Sequence, residues 1–293
     1  MRFTRTKALV AATGLALSLA ACGGDDGDTE VEVATDTEFE AGTTMAEIAE
    51  AGTVTVGTKF DQPGFGLQNL EGEPEGFDVE VAKIIAGAMG IAPEDIEWKE
   101  STSDIREQVI EDGEVDYVVA TYTINDERKE RITFAGPYYE AGQMLMVAAD
   151  NDAIETPEDL AENPDAKVCS VTGSTPSETI KEYLASEDQL VLFDVYDKCA
   201  DALENGQVDV VTTDNVILLG FVDEYEGAFK LVGEQFTEEP YGIGIEKGDV
   251  EFCEFINETL ADNEDAYLAA WEATAGEVEG TETPELPEPA ACS

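Results

Sequence analysis

Two hydroxyls and a guanidinium stand close together near the middle of this chain: Thr121, Thr123 and Arg128. They follow residues 117–120, a short run of β-branched and aromatic residues behind a turn at Asp112-Gly113, which reads as a buried strand. Hydroxyls at the carboxyl end of a strand, with a guanidinium nearby, suit a small carboxylate. Two donors orient it and a planar fork grips it bidentately. On spacing alone, a solvated Arg128 at the start of a charged helix fits equally well.

A strand that ends in ligand donors needs a sheet around it. Residues 53–58, 96–98 and 117–120 read as strands. Residues 77–89 read as a helix with Val81, Ile84, Ile85 and Ala88 on its apolar face, and residues 104–110 as another. This alternation predicts a mostly parallel sheet with helices on both faces. A second α/β unit follows, with strands at 143–148, 167–171, 191–193, 208–212 and 229–232. Its helices start at 156–160 and run over 175–185 and 198–204. A strand at 242–245 precedes an amphipathic helix over 250–260 and another running through Trp271. Beyond Gly276 the chain is rich in Pro and Glu and is expected to lie extended on the surface. No repeat of solenoid period is present.

The amino terminus has Arg2, Arg5 and Lys7, then an apolar run over 8–19 that is too short for a bilayer core, which needs about 20 residues. Residues 1–21 have the layout of a secretory signal. Residues 22–45 are acidic, Thr-rich and poor in large apolar side chains, so they read as a linker; a short helix over 43–51 leads to Gly52. The chain has 67 acids, 15 bases and no His, a net charge of -52. Removing residues 1–21 takes away three bases and no acids, which leaves 12 bases against 67 acids, or -55. Such a charge excludes nucleic acid and repels anionic lipid. It also strains a compact state unless salt screens it, as in halophiles. Beyond Cys22 lie Cys169, Cys199, Cys253 and Cys292. An even number in an exported chain favours disulfides, with three connectivities open. Without His or a C-x-x-C pair, no metal site is expected, and no cofactor is called for.

The segment 116–139 resembles the ligand-binding core of the family 3 extracellular solute-binding proteins, which deliver polar amino acids to ABC transporters. Their pattern is a strand, two hydroxyls one residue apart, an Arg-ending T/N-x-E/K-R segment, then Phe and Pro-Tyr. Here these are Thr121, Thr123, Asn125 to Arg128, Phe134 and Pro137-Tyr138. Four more motifs fall in the family's order: Gly76 to Ala82, Gly173-Ser174-Thr175, Gly206 to Asp214, and Tyr241 to Ile245. The resemblance runs from about Gly52 to Leu268. It implies a type II, periplasmic-binding-protein-like α/β fold, two α/β lobes joined by two crossover strands. Lobe 1 is expected at 46–141 and 239–293 and lobe 2 at 142–238, with hinges near 140–144 and 236–241.

By the same resemblance, Thr121, Thr123 and Arg128 hold a ligand α-carboxylate. Asp214 takes the α-ammonium, and Ser174 and Thr175 supply second-lobe donors. A lone Asp after a strand is more often a helix N-cap, and only its place in the set raises Asp214 above that. Leu19-Ala20-Ala21-Cys22 resembles the bacterial lipobox, whose Cys is lipidated. This implies a lipid anchor at Cys22 on the outer face of the cell membrane, or on the periplasmic side where an outer membrane is present. An ordinary signal peptide cut at Ala21, with Cys22 a spare thiol, is the alternative. A monomer serving a permease is expected. Pairing within lobes, Cys169–Cys199 and Cys253–Cys292, is expected because a bridge between lobes would obstruct closure.

Two departures bear on the ligand. Lys59 stands where the family often has an acid, in a loop whose aromatics are Phe60 and Phe65. Ser101 to Ser103 stand where many relatives carry a stacking aromatic, and Arg106 follows. Both weaken the inference of a cationic ligand. They favour glutamate, then aspartate, with glutamine or asparagine as rivals, and Lys59, Phe60 and Arg106 join the ligand set. An exposed Arg106 paired with a neighbouring Glu is the competing reading. An enzyme on this fold, such as a dehydratase, is a weaker alternative, since no His and no catalytic acid pair stand out. A sensor module is weaker still, because no output segment follows.

Overall fold

The computed structural model describes residues 31–35 and 37–293, so the expected signal segment and Cys22 lie outside the described residues. Two five-stranded sheets form the frame. The first has the spatial order Ile96–Glu100, Val54–Thr58, Tyr117–Val118, Glu239–Ile245, Thr133–Ala141. The second runs Leu190–Phe193, Val168–Val171, Val210–Asp214, Gln143–Ala148, Phe229–Val232. In each, one strand is antiparallel to both neighbours: Glu239–Ile245 in the first and Gln143–Ala148 in the second. The reversed strand is the one by which the chain enters from the other lobe. The predicted parallel sheets are therefore each interrupted once, as the price of crossing over.

The crossovers lie side by side. Ala141, Gly142 and Gln143 carry the chain outward, and residues 233–238 bring it back to Glu239, which pairs with Ala141. A Cβ at Gly142 would come within 2.7 Å of both Thr237 O and Gln235 Oε1, so only glycine lets the two connections press together.

Three helices, Phe77–Ala88, Val250–Asp262 and Glu264–Glu272, bury Val81, Ile85, Phe252, Ile256 and Trp271 in the first lobe's core. Phe77 packs edge-on against Trp271 with centroids 5.1 Å apart, and Phe65 joins the same aromatic group. The second core centres on Met146, Val171, Leu203, Val211 and Phe221. Cys169 is bonded to Cys199 within the second lobe, and Cys253 to Cys292, which fastens the extended tail to the first.

Several elements differ from the sequence reading. The nine-residue strand Thr133–Ala141 and the helix Asn215–Glu224 were not expected. The helix over 175–185 is instead a short α-helix, Thr175–Thr179, and a 3-10 turn, Ile180–Tyr183. Residues 61–75 form a small separate sheet of three short strands, Asp61–Gln62, Gly66–Gln68 and Pro74–Glu75.

Candidate functional site

The two sheets point the carboxyl ends of their strands at each other, and the chemistry-bearing residues stand there. Lys59 follows Val54–Thr58, Ser103 and Arg106 follow Ile96–Glu100, and Thr121 and Thr123 follow Tyr117–Val118. Opposite them, Ser174 and Thr175 follow Val168–Val171, Tyr196 follows Leu190–Phe193, and Asp214 ends its own strand. Between them is a small cavity of about 10 Å³. Arg106, Thr121 and Thr123 line it from the first lobe; Ser174, Thr175 and Asp214 line it from the second.

Thr121 has φ +44°, an uncommon conformation for a β-branched residue. Its amide donates to Asp78 Oδ2 at 2.7 Å, and the Tyr138 hydroxyl donates to Asp78 Oδ1 at 2.5 Å. The Thr121 hydroxyl lies 2.9 Å from Gln62 Oε1. Burial pushes the Asp78 carboxyl up to about 7. This network holds the strained residue at the cavity wall.

Arg106 is a buried wall residue, 2 % exposed, and not the surface ion-pair partner of the competing reading. Its guanidinium lies 4.1 Å over the Tyr122 ring, and Nη1 donates to Ala120 O at 2.7 Å. Its Nε has no partner within the protein. Arg128 sits behind the wall. It donates from Nη1 to Thr123 O at 2.6 Å and to Thr175 Oγ1 at 3.3 Å, and from Nη2 to Gly173 O at 3.0 Å. Its Nε pairs with Glu107 at 3.2 Å. Arg128 therefore ties the first lobe's strand end to the second lobe's loop. Burial and the charge of Arg106 hold its pKa below the usual guanidinium range.

Lys59 also stands behind the wall, 1 % exposed, and donates to Ser103 Oγ at 2.8 Å. Burial and the neighbouring Arg106 push its ammonium down to about 7. Phe60 is half-buried and not part of the wall. Phe65 belongs to the first lobe's core.

Asp214 holds the N-cap position of helix Asn215–Glu224, but its side chain makes no capping bond. Instead Oδ2 accepts from the Tyr241 hydroxyl at 2.6 Å, and Oδ1 is buried without a partner in the protein. Burial and the nearby Glu239 raise the carboxyl to about 7. The Ser174 hydroxyl is taken up locally, donating to Val171 O and accepting from Ser177 N. The cavity wall thus offers an unpaired guanidinium N–H of Arg106 from one lobe and an unpaired carboxylate oxygen of Asp214 from the other, groups of opposite charge on facing lobes.

Ser103, Tyr196 and Thr213 also line the wall and were not expected there. Thr213, in the run before Asp214, and Tyr196, just past a strand, carry the same carboxyl-end signal as Thr121. A larger open groove lies at the lobes' rim. Glu71, Glu75, Glu80, Asp223, Glu224 and Glu277 line it without any base, so it has nothing to hold a ligand's carboxylate.

Residues 54–269 match the bacterial extracellular solute-binding proteins, family 3. The chain belongs to this family. It is 42% identical over 268 residues to the glutamate-binding protein GluB of Corynebacterium glutamicum, covering 88% of this chain and 85% of that protein. It is 39% identical over 245 residues to the ABC transporter glutamine-binding protein GlnH of Bacillus subtilis, covering 83% and 85%. Among solved structures, an ancestral arginine-binding protein bound to glutamine superposes with a TM-score of 0.70 at 35% identity, over 78% of this chain and 99% of that one. The two-lobed amino-acid-binding fold and a solute-binding role follow from these matches.

Proposed function

We propose that this protein receives L-glutamate, and L-aspartate second, in the interlobe cleft and presents it to the permease of an ABC importer. The observation that carries the reading is the cluster of buried bases at and just behind the first-lobe wall, Lys59, Arg106 and Arg128, of which Lys59 and Arg106 have no carboxylate within hydrogen-bonding distance, with Asp214 as the wall's carboxylate. Arg128 is matched by Glu107. Asp214 Oδ1 suits the α-ammonium, and Thr121, Thr123 and Arg128 suit the α-carboxylate, with Arg128 exchanging its bonds to Gly173 and Thr175 for ligand oxygens. A second carboxylate then answers Arg106 and Lys59, because an unpaired buried charge costs several kcal/mol. The relative named for glutamate supports the same choice. Glutamine is the second reading, supported by the relative named for it. A receptor fits better than an enzyme, since the buried groups of the cavity serve binding and the chain has no His. Cys22 is proposed as the site of a lipid anchor, and the receptor as a monomer.

The test replaces Arg106 and Lys59 singly with Met and titrates each variant with glutamate and glutamine by calorimetry at pH 6. Removing one partner of a buried ion pair costs on the order of 3 kcal/mol, roughly 100-fold in affinity. At least one variant is expected to lose ten-fold or more for glutamate while sparing glutamine. Equal and small losses for both ligands would refute the assignment.

A further inference from the structure

We propose that Asp61 is a positioning residue for closure: a first-lobe carboxylate that caps a second-lobe helix and seats Tyr196 in the cavity wall only when the lobes are shut. This rests on the reading that the lobes close over an amino acid. Helix Tyr196–Glu204 begins with Val195 at its N-cap position, which has no side-chain acceptor to give its first amides. The Tyr196 amide instead donates to Asp61 Oδ2 at 2.6 Å, a buried bond between residues 135 apart in sequence. Asp61 belongs to the small sheet on the first lobe; Tyr196 belongs to the second and lines the cavity. Asp61 itself is not part of the cavity wall.

A second contact seats the same loop. The Pro63 carbonyl lies against Gly220 in helix Asn215–Glu224, where an added Cβ would come within 2.5 Å of Pro63 O. The glycine there provides space, because its φ is not in the left-handed region. Residues 61–63 are therefore held by the start of one second-lobe helix and the middle of another. Both contacts join the two lobes, so opening the cleft separates them and returns the carboxylate and the amide to water. The bond then adds to the closed form alone, and its loss shifts the open–closed equilibrium without touching the ligand.

The experiment follows backbone amide exchange at Tyr196 in the full chain, with and without a mixture of the twenty common amino acids, in the parent protein, Asp61→Ala and Gly220→Ala. The mixture closes the cleft whichever amino acid binds, so this readout does not depend on the glutamate assignment; that is judged separately by glutamate and glutamine titrations of the parent. The parent is expected to gain protection at Tyr196 with the mixture, and Asp61→Ala to gain little. Losing a helix cap predicts about a 2- to 30-fold weaker affinity in Asp61→Ala, expressed in the off-rate, with the ligand-free melting midpoint unchanged. Gly220→Ala is expected to raise the ligand-free midpoint, as alanine favours helix over glycine, while weakening binding. Equal protection of Tyr196 in the parent and Asp61→Ala would overturn the proposal, as would no protection in the parent. A ligand-free midpoint that falls in Asp61→Ala, or tighter binding by Gly220→Ala, would do the same.

Discussion

Lys59 supplies a proton count that separates glutamate from glutamine. In the closed cleft its ammonium is pushed down to about 7, first by burial and then by Arg106, with Asp61 opposing. In an open, hydrated cleft a lysine keeps its ordinary value near 10.4. At pH 8 the closed form with a neutral ligand side chain therefore gives up roughly 0.9 proton, while the open form holds nearly all of it. A side-chain carboxylate changes that. Raising Lys59 from about 7 to about 9 needs ~2.7 kcal/mol. A charge 5 Å away at an effective dielectric of 20 supplies about 3 kcal/mol. Glutamate then keeps the proton in place, with only about 0.1 released at pH 8.

The sign follows directly. With glutamine, closure lowers the Lys59 pKa, so closure carries its full penalty below pH 7 and sheds it as pH rises above 7. With glutamate, affinity stays flat to about pH 9. The preference for glutamate should therefore be greatest at or below neutrality and shrink above it. Asp78 and Asp214, both raised to about 7, are already mostly ionised at pH 8 and act alike for both ligands. Calorimetry at pH 8 in two buffers of different ionisation enthalpy measures the released protons. Proton counts equal for the two ligands, or a difference that survives Lys59→Met, would refute the reasoning.

Two further outcomes follow from the same structure. Solution scattering is expected to show a smaller radius of gyration on saturation with glutamate, because in the proposed site Asp214 and Arg128, on different lobes, hold the two charges of one zwitterion; an unchanged radius would count against closure. The chain from Gly23 onward is expected to melt at a higher temperature as salt rises from low to molar concentration, since its 67 acids, most of them at the surface, outnumber 12 bases and repel; a midpoint that is flat or falls with salt would remove that expectation.

Local patterns made much of the site legible. Thr121, Thr123 and Asp214 each stand at the end of a strand whose apolar residues are contiguous in sequence, so the strand and its donors could be read together. Helix Asn215–Glu224 could not be read that way, because Val216, Ile217, Leu218, Gly220 and Phe221 are all buried and leave no polar face to set a period. Pro137 breaks the strand signal within Thr133–Ala141. The strand lies at the edge of its sheet, where a missing N–H costs no ladder bond. The bonds from Arg128 to Gly173 and from Tyr196 to Asp61 join segments 45 and 135 residues apart, and only the tertiary fold brings them together.

On the proposed reading, the placement of the bases accounts for anion binding by so acidic a chain. Among the described residues, the buried bases are Lys59, Arg106 and Arg128, and all three stand at the cleft. Lys181, Lys198 and Lys230 pair with acids at the surface, where such pairs contribute little. The long-range field of the molecule repels an anion, so recognition has to occur at contact distance, inside the cavity and within a Debye length of about 8 Å at physiological salt. Tyr122 makes this crowding of cations tolerable. Its ring lies 4.1 Å from the Arg106 guanidinium and 5.2 Å from that of Arg128, so one ring serves two positive charges. That ring comes from between Thr121 and Thr123, which line the cavity, and not from the segment before Arg106. The ring therefore lies against the bases, and Arg106 Nε is left without a partner in the protein.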